Sequence, residues 1–273
     1  MKILASLVLF KHSFNDIEVT LSALFQEDSI STVVIVDNGE HCTWLDSFVH
    51  EKVQVIRVPV NKGFGAGHNV VFERFKGQSD FLLICNPDIH FEKGEVDALY
   101  DFSRSEGVGL TVPKIIYPNG NNQYGCKLLP TPYQLFIRRF CSVITSGVNQ
   151  RYELRDADYN KIFFAPSLSG CFLLISKDAI NMVKGFDDRF FLYMEDVDLS
   201  RRVCDTGLPV RYYPGSTVVH VAQSKSYKSL KFLAYHIFSA VKYFNKWGWF
   251  FDKKRSKLNS LCLSVLPKSI KED

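Results

Sequence analysis

Short apolar segments alternate with segments of helical character along the N-terminal part of the chain, and this alternation constrains the fold most. The apolar segments are nearly free of polar residues, as is typical of strands buried on both faces. They cover residues 3–10, 32–38, 53–58 and 81–85. Helices are predicted at residues 15–25, 66–76 and 95–105. The pattern predicts an α/β fold with a mostly parallel central sheet that helices cover on both faces.

The second half of the chain is less regular. Four prolines and an Asn-Gly-rich stretch predict loops or a small hairpin within residues 113–165. A further buried strand is predicted at residues 169–175, followed by a short helix at 178–183. Strand-like pieces at 210–213 and 217–220 complete the predicted sheet.

Polar residues stand where two of the predicted strands end. Asp37 and Asn38 follow the second strand, and Asn86 and Asp88 follow the fourth. Ligands of parallel sheets bind beyond the carboxyl ends of the strands. Asp37 can accept hydrogen bonds from an imide N–H or a sugar hydroxyl, although Asp after a strand is also common in turns.

Asp88 is a candidate ligand for a hard divalent cation, because Mg²⁺ and Mn²⁺ take one or two carboxylates and leave positions for substrate phosphates. His220 closes a later strand and is a second candidate, with a purely structural histidine as the alternative.

A glycine-rich turn spans residues 61–69, after the third strand and before a helix. Gly63 and Gly65 are expected to let the backbone approach a ligand, and the helix N-terminus favours phosphate. Asn61 and Asn69 begin and end the turn. It lacks the spacing of the dinucleotide-binding fingerprint and of the P-loop.

Three carboxylates follow an aromatic run in residues 190–202: Glu195, Asp196 and Asp198. Mutual repulsion and neighbouring aromatic rings raise the pKa of a carboxylate, which makes it a better base. The alternative is a helix N-terminus whose acids favour the dipole and pair with Arg201 or Arg202.

Charge is distributed unevenly along the chain. Residues 226–273 carry ten Lys or Arg against three Asp or Glu, whereas the whole chain has a formal net charge of +4. We expect a main domain over residues 1–225 and a basic helical tail over residues 226–273. The overall charge is too small to indicate a nucleic-acid partner.

The tail is predicted to be amphipathic. Leu230, Leu233, Ile237, Val241 and Phe244 recur at helical spacing, and basic residues surround them. Aromatic residues at 247–251 precede a basic run, which suits peripheral contact of residues 226–258 with an anionic membrane. A helix packed on the main domain is the alternative.

Two further features bear on the compartment. The seven cysteines are odd in number and form no CxxC pair, so the simplest expectation is a reducing, cytoplasmic compartment. No apolar run reaches the roughly 20 residues of a membrane-spanning helix. We therefore expect a protein at the inner face of the plasma membrane.

The order of these motifs resembles that of the family 2 inverting glycosyltransferases of GT-A fold, and within them the bacterial rhamnosyltransferase-like branch that builds O-antigen and other cell-surface polysaccharides. The resemblance covers about residues 3–225. Its motifs are residues 34–38, 61–69, 86–88, 169–172, 185–191, 195–199 and His220.

The resemblance implies a role for each motif. Asp196 would be the catalytic base, with Glu195 beside it, and Asp88 and His220 would hold Mg²⁺ or Mn²⁺ at the donor diphosphate. Asn86 stands where many relatives have an Asp, and would contact sugar or ribose. The remaining implied substrate-binding residues are Asp37, Asn38, Asn61, Gly63, Gly65, Asn69, Gly170, Asp198 and Arg201.

The function implied is transfer of a sugar, best matched by L-rhamnose from dTDP-L-rhamnose, onto a lipid-linked oligosaccharide. Another sugar from a UDP or GDP donor is the main competitor. A non-catalytic nucleotide-sugar-binding protein should lack Asp88 or Asp196, and both are present. A glycoside hydrolase would need neither a nucleotide pocket nor a metal.

Overall fold

The computed structural model describes residues 2–140, 145–221 and 230–268. Its strands are β1 Ile3–Leu9, β2 Ile30–Asn38, β3 Val53–Val58, β4 Phe81–Cys85, β5 Ile89–His90, β6 Leu110–Ile116, β7 Cys126–Lys127, β8 Ser167–Leu168, β9 Phe172–Ser176 and β10 Val210–His220. Its helices are α1 Glu18–Gln26, α2 Phe64–Arg74, α3 Glu95–Ser105, α4 Pro132–Phe140, α5 Thr145–Tyr152, α6 Lys177–Val183, α7 Glu195–Cys204, α8 Leu230–Trp247 and α9 Lys253–Val265.

Eight of the strands form one sheet in the order β3-β2-β1-β4-β9-β6-β10-β5. The pairs among β3, β2, β1 and β4 are parallel, as is the pair β6–β10, whereas β9 and β5 run antiparallel to their neighbours. β7 and β8 form a separate antiparallel pair. The prediction of a mostly parallel sheet is confirmed.

Side chains alternate between the two faces of the sheet, and each face has its own core. From β1, Ile3, Ala5 and Leu7 pack with α1 and α3, whereas Leu4 and Val8 pack with α2 and α6. All five are buried. Burial on both faces explains why the strand reads as a continuous apolar run.

The stretch predicted as loops or a small hairpin contains the end of β6, the short strand β7 and helices α4 and α5. Pro113 lies inside β6, and Pro132 is the first residue of α4. A helix tolerates proline in its first turn because the missing N–H would have no helical partner there. We interpreted these prolines as signs of loops, and therefore missed the end of β6 and the start of α4.

The C-terminal helices pack against α7. Tyr243 and Phe244 of α8 and Leu258 of α9 form a buried cluster with Met194 and Val197. The apolar stripe predicted on α8 divides: Phe244 is buried, whereas Leu230 is 85% exposed. Among the helices of the described residues, none combines the length and the apolar character that crossing a membrane requires.

Candidate functional site

Asp196 is held in place at the start of α7. Tyr193 and Met194 both have left-handed backbone conformations, with φ of 69° and 68°, directly before the helix. The amide of Gly170 donates to Asp196 Oδ2 at 3.1 Å, and the amide of Val197 donates to Oδ1 at 2.8 Å. Each left-handed residue costs about 1–3 kcal/mol, a strain that is concentrated at functional sites. The carboxylate is half-buried and lines a cavity.

Glu195 lies beside Asp196 and is buried, with no hydrogen-bond partner for Oε2 among the described residues. Burial first, and then the neighbouring Asp196 carboxylate, raise the pKa of Glu195 to about 8. Near neutral pH the side chain is therefore largely protonated, and it adds little negative charge beside Asp196.

One turn connects Asp196 to the loop that follows β4. The amide of Gly170 binds Asp196, and the carbonyl of the next residue, Cys171, accepts from the amide of Asn86 at 2.8 Å. A Cβ on residue 170 would lie 3.0 Å from the Cβ of Asp196. Gly170 therefore packs on Asp196, and a contact of Gly170 with substrate stays a prediction.

Asp88 and His220 come together, as the resemblance implied. His220 Nε2 lies 3.2 Å from Asp88 Oδ1, which is buried and has no hydrogen bond among the described residues. His220 Nδ1 lies 2.7 Å from Gln123 Oε1. With Nδ1–H donating to that oxygen, the ring is fixed so that Nε2 points at the carboxylate, and loss of the Nε2 proton would free this nitrogen to bind a metal. Gln123 was not predicted, because no motif in the sequence marks it as a partner of His220.

Asp88 and His220 suit a metal ion whose remaining coordination positions are filled by substrate. Burial alone would lower the pKa of His220, but its contacts with the Asp88 carboxylate and with Cys171 together outweigh burial and raise that pKa to about 10. The described residues contain no group of three or more metal-binding side chains. One carboxylate and one imidazole fit Mg²⁺ or Mn²⁺, which leave further positions to phosphate oxygens.

Asp37 and Asn38 hold loops of the chain itself. Asp37 is fully buried and accepts from the amides of His41 and Cys42 at 3.0 and 3.1 Å, and Arg57 Nη1 lies 3.3 Å away. Asn38 Nδ2 donates to the carbonyl of Gly63 at 3.0 Å. A direct contact of either side chain with a nucleotide stays a prediction.

The glycine-rich turn serves a close approach within the chain. A Cβ on Gly63, whose φ is 105°, would collide with the backbone of Phe191, and one on Gly65 would lie 2.8 Å from the Cβ of Phe186. Asn61 Oδ1 accepts from the amide of Gly63 at 2.8 Å. The segment before α7 therefore packs closely against the backbone of this turn, where we had expected a ligand to do so.

Asn69 fixes the same segment. Its Nδ2 donates to the carbonyl of Phe186 at 2.9 Å, and its Oδ1 accepts from the amide of Phe186 at 2.8 Å. The glycine-rich turn and Asn69 thus brace the residues that precede the base. Binding of a nucleoside by this turn stays a prediction.

Asp198 and Arg201 require a correction. Asp198 is fully buried and accepts from Arg202 Nε at 2.7 Å, Lys246 Nζ at 2.6 Å and Trp247 Nε1 at 2.8 Å. Arg201 is buried as well, and its partners belong to the C-terminal helices. Neither residue lines the cavity at Asp196. We assign both to the interface between α7 and the C-terminal helices, and not to substrate binding.

A cavity of about 270 Å³ opens beside Asp196. Its lining combines acidic, basic and apolar residues from several elements. They include Lys127, Leu135, Arg138, Tyr193, Phe232, Leu233 and His236. Of the aromatic run that we expected near the acids, Tyr193 reaches the cavity, whereas Phe190 is fully buried in the core. The basic residues were missed because they lie far from the acids in sequence.

The chain is similar in sequence to curated glycosyltransferases. No family model matches the sequence. The chain is 28% identical over 207 residues to an N-acetylglucosaminyl-diphospho-decaprenol L-rhamnosyltransferase of Mycobacterium tuberculosis, covering 69% of this chain and 66% of that protein. It is 23% identical over 188 residues to Rhamnosyltransferase WbbL of Escherichia coli, covering 66% of this chain and 69% of that protein.

Two solved structures are similar as well. GalNAc-T7 with UDP, GalNAc and Mn²⁺ aligns with a TM-score of 0.62 at 15% identity, over 81% of this chain and 43% of that one. The mannosyltransferase PcManGT from Pyrobaculum calidifontis with GDP-Man and Mn²⁺ aligns with a TM-score of 0.59 at 12% identity, over 88% and 64%.

This chain has the GT-A fold. The expected resemblance to rhamnosyltransferases and other glycosyltransferases is confirmed. In this GT-A fold, Asp196 and the Asp88–His220 pair are linked by the turn at Gly170 and Cys171. The sequence matches cover only part of each chain. This chain spans about two thirds of the length of the Mycobacterium tuberculosis relative.

Proposed function

We propose that the protein is an inverting glycosyltransferase that uses a nucleotide-sugar donor. The observation that carries the proposal is the turn at Gly170 and Cys171, which binds the Asp196 carboxylate on one side and the Asn86-Pro87-Asp88 loop on the other. The similarity to rhamnosyltransferases and the GT-A fold support it.

Asp196 is the base of the proposed reaction. A sugar hydroxyl is a poor nucleophile, so the carboxylate takes its proton as the oxygen attacks the anomeric carbon of the donor. The nucleoside diphosphate leaves from the opposite face, and a single displacement inverts that carbon. The amides of Gly170 and Val197 fix the carboxylate in position. Protonated Glu195 keeps a second charge away from it.

Asp88 and His220 would hold Mg²⁺ or Mn²⁺. When bound, such an ion neutralises charge on the leaving diphosphate. Gln123 would keep the His220 ring in the orientation that presents Nε2. The Mn²⁺ named for the two structural neighbours supports a divalent cofactor.

The sequence relatives favour transfer of rhamnose onto a lipid-linked saccharide. We propose dTDP-L-rhamnose as the donor, and synthesis of O-antigen or another surface polysaccharide as the role. We place the enzyme in the cytoplasm, at the inner face of the plasma membrane. The exposed Phe250 and Phe251 and the exposed lysines Lys253 and Lys257 support a peripheral membrane contact. The predicted contact also includes residues 226–229, which lie outside the described residues.

The test is transfer of radiolabelled sugar by purified protein. A thermal-shift screen of nucleotide sugars with Mn²⁺ first selects the donor, because a ligand that binds the native state raises Tm. Asp196→Asn should then lower kcat about 10²–10⁴-fold. Asp101→Asn is the matched control, since this acid is exposed on α3 and lies outside the cavity lining. Transfer by Asp196→Asn at the wild-type rate would refute the base assignment.

A further inference from the structure

Two basic side chains, Lys127 and Arg138, line the cavity at Asp196, and the proposed chemistry uses neither of them. Lys127 is the last residue of β7, and β7 pairs with β8 so that Lys127 lies opposite Ser167. Ser167 is two residues before Ser169 and three before Gly170, which holds the base. Lys127, Arg138 and Asp196 all line the same cavity of about 270 Å³.

Lys127 has no direct partner among the described residues. Its ammonium forms neither a hydrogen bond nor an ion pair within the part of the chain that the structure describes, and the acids that influence it from further away are Glu153 and Asp196. Burial, and after it the charge of Arg138, lower the pKa of Lys127. A half-buried cation beside a second cation is unfavourable unless an anion joins them.

Arg138, in contrast, is anchored. Its Nη2 donates to Glu153 Oε1 at 2.7 Å, and its guanidinium lies over the Tyr152 ring at 4.6 Å. Glu153 also pairs with Arg155. The carboxylate is therefore shared between two arginines, and Arg138 keeps donors for a further oxygen.

Apolar side chains from two helices line another part of the cavity. Leu135 belongs to α4, and Phe232 and Leu233 belong to α8. Apolar side chains continue onto the outer surface of both helices. The exposed ones include Tyr133 and Phe136 on α4 and Ile237 and Phe238 on α8. The two helices that bring apolar side chains to the cavity therefore also carry exposed apolar side chains on their surface.

We propose that this cavity binds an acceptor sugar carried on an isoprenoid diphosphate, with the diphosphate held by Lys127 and Arg138 and the isoprenoid chain leaving between α4 and α8. The inference rests on the proposed function and identifies the residues that recognise its acceptor. The acceptor hydroxyl at Asp196 and the phosphates at Lys127 share one small cavity. The reacting sugar is therefore the one attached directly to the diphosphate.

Two acceptors that differ only in their phosphates test the proposal. The first is N-acetylglucosaminyl diphosphate on a short isoprenoid chain, and the second is the same sugar as a neutral alkyl glycoside. Lys127→Met keeps the length of the side chain and removes its charge. It should lower kcat/KM for the diphosphate acceptor about tenfold or more, through KM, because a charge-assisted hydrogen bond is lost. Transfer to the neutral glycoside should not change.

Lys127→Arg should restore most of the preference for the diphosphate acceptor, and exposed Lys76→Met should leave both acceptors unaffected. Equal losses on both acceptors, or no loss on the diphosphate acceptor, would overturn the assignment of Lys127. If wild-type protein transfers sugar to neither acceptor from any nucleotide sugar, the proposed function itself has failed.

A binding measurement that needs no turnover separates the two conclusions further. Farnesyl diphosphate without a sugar should raise the Tm of wild-type protein and of Lys127→Arg, but not that of Lys127→Met or Lys127→Gln. An equal rise in Lys127→Met would overturn the anion site. Stabilisation of the wild type by inorganic diphosphate to the same extent would overturn the role of the isoprenoid chain.

Discussion

Arg201 of α7 and Asp252, which caps the N-terminus of α9, form a two-point ion pair from which solvent is excluded. Nη1 and Nη2 of Arg201 lie 2.6 and 2.7 Å from the two carboxylate oxygens of Asp252. The guanidinium also lies 4.1 Å from the centre of the Trp247 ring. One arginine thus joins the helix of the base to both C-terminal helices.

Arg201→Met should lower the free energy of unfolding by about 3–5 kcal/mol, because it leaves the Asp252 carboxylate buried without its partner. Urea denaturation measures the loss. Arg104→Met, on the exposed face of α3, should change stability by less than about 0.5 kcal/mol. A combined Arg201→Met and Asp252→Asn variant that loses the full sum of the single effects would contradict the pairing.

Glu195→Gln should change how stability depends on pH. The pKa of Glu195 is about 8 in the folded protein against an ordinary 4.5. Between these values the folded chain binds more protons than the unfolded chain, so the free energy of unfolding of the wild type falls as pH rises towards 8. Glutamine does not titrate, so the free energy of unfolding of the variant does not fall in this way as pH rises.

The stability advantage of Glu195→Gln should therefore grow by at least about 1.4 kcal/mol between pH 5.5 and pH 8.5, which corresponds to one pKa unit. Urea denaturation at both pH values gives the difference. The matched control is Glu73→Gln on the exposed side of α2. An advantage that does not change with pH would show that Glu195 is already charged in the folded protein.

Gly63→Ala should destabilise the protein by more than about 3 kcal/mol. Its φ of 105° is accessible mainly to glycine, and the added Cβ would meet the backbone of Phe191, which cannot move like a side chain. Gly147→Ala is the control, since nothing lies within 4 Å of its Cβ. In helix α5 this second change should stabilise by about 0.4–1 kcal/mol. Equal effects at the two positions would contradict the close packing of the turn.

Removal of divalent cations should abolish sugar transfer, and Mn²⁺ or Mg²⁺ should restore it. Asp88→Asn should raise the Mn²⁺ concentration needed for half-maximal activity about tenfold or more, because the amide replaces a charged ligand. Asp80→Asn, an exposed acid before β4, is the control. Full activity in EDTA would refute the metal role of Asp88 and His220.

Phe250→Ser combined with Phe251→Ser should weaken binding to vesicles that contain anionic lipid about tenfold or more. Both rings are exposed, at 80% and 97%, and their transfer into the membrane interface drives the binding. Sedimentation with vesicles measures the bound fraction. Val49→Ser, at a position 91% exposed elsewhere on the protein, should have no effect. Unchanged binding by the double variant would exclude these rings as the contact.

The sequence predicted the first half of the sheet well because each strand there is buried on both faces. β3, β4 and α3 have the predicted limits. It also identified the polar ends of β2 and β4, because the polar residues there directly follow an apolar strand in the sequence. Prediction was poorer at 113–165, where burial comes from distant contacts such as Leu129 with Asn259 of α9.

The candidate site shows the same division. Asp88 and His220 were recognised from motif order, and the structure brings them together. Asp198 and Arg201 were misassigned because a charged residue near the base looks the same in sequence whether it faces substrate or a helix. Their partners, Lys246 and Asp252, lie about fifty residues further along the chain. Lys127 was missed for the same reason.

The interface of α7 with the C-terminal helices also limits how the chain can be recombined. Lys246 binds both Asp187 and Asp198, and Ser239 donates to the carbonyl of Leu192. A chimera that takes its C-terminal helices from a related transferase, joined after residue 225, would place foreign side chains around the segment that leads into the base. A functional chimera should therefore take residues 185–204 and the C-terminal helices from the same parent protein.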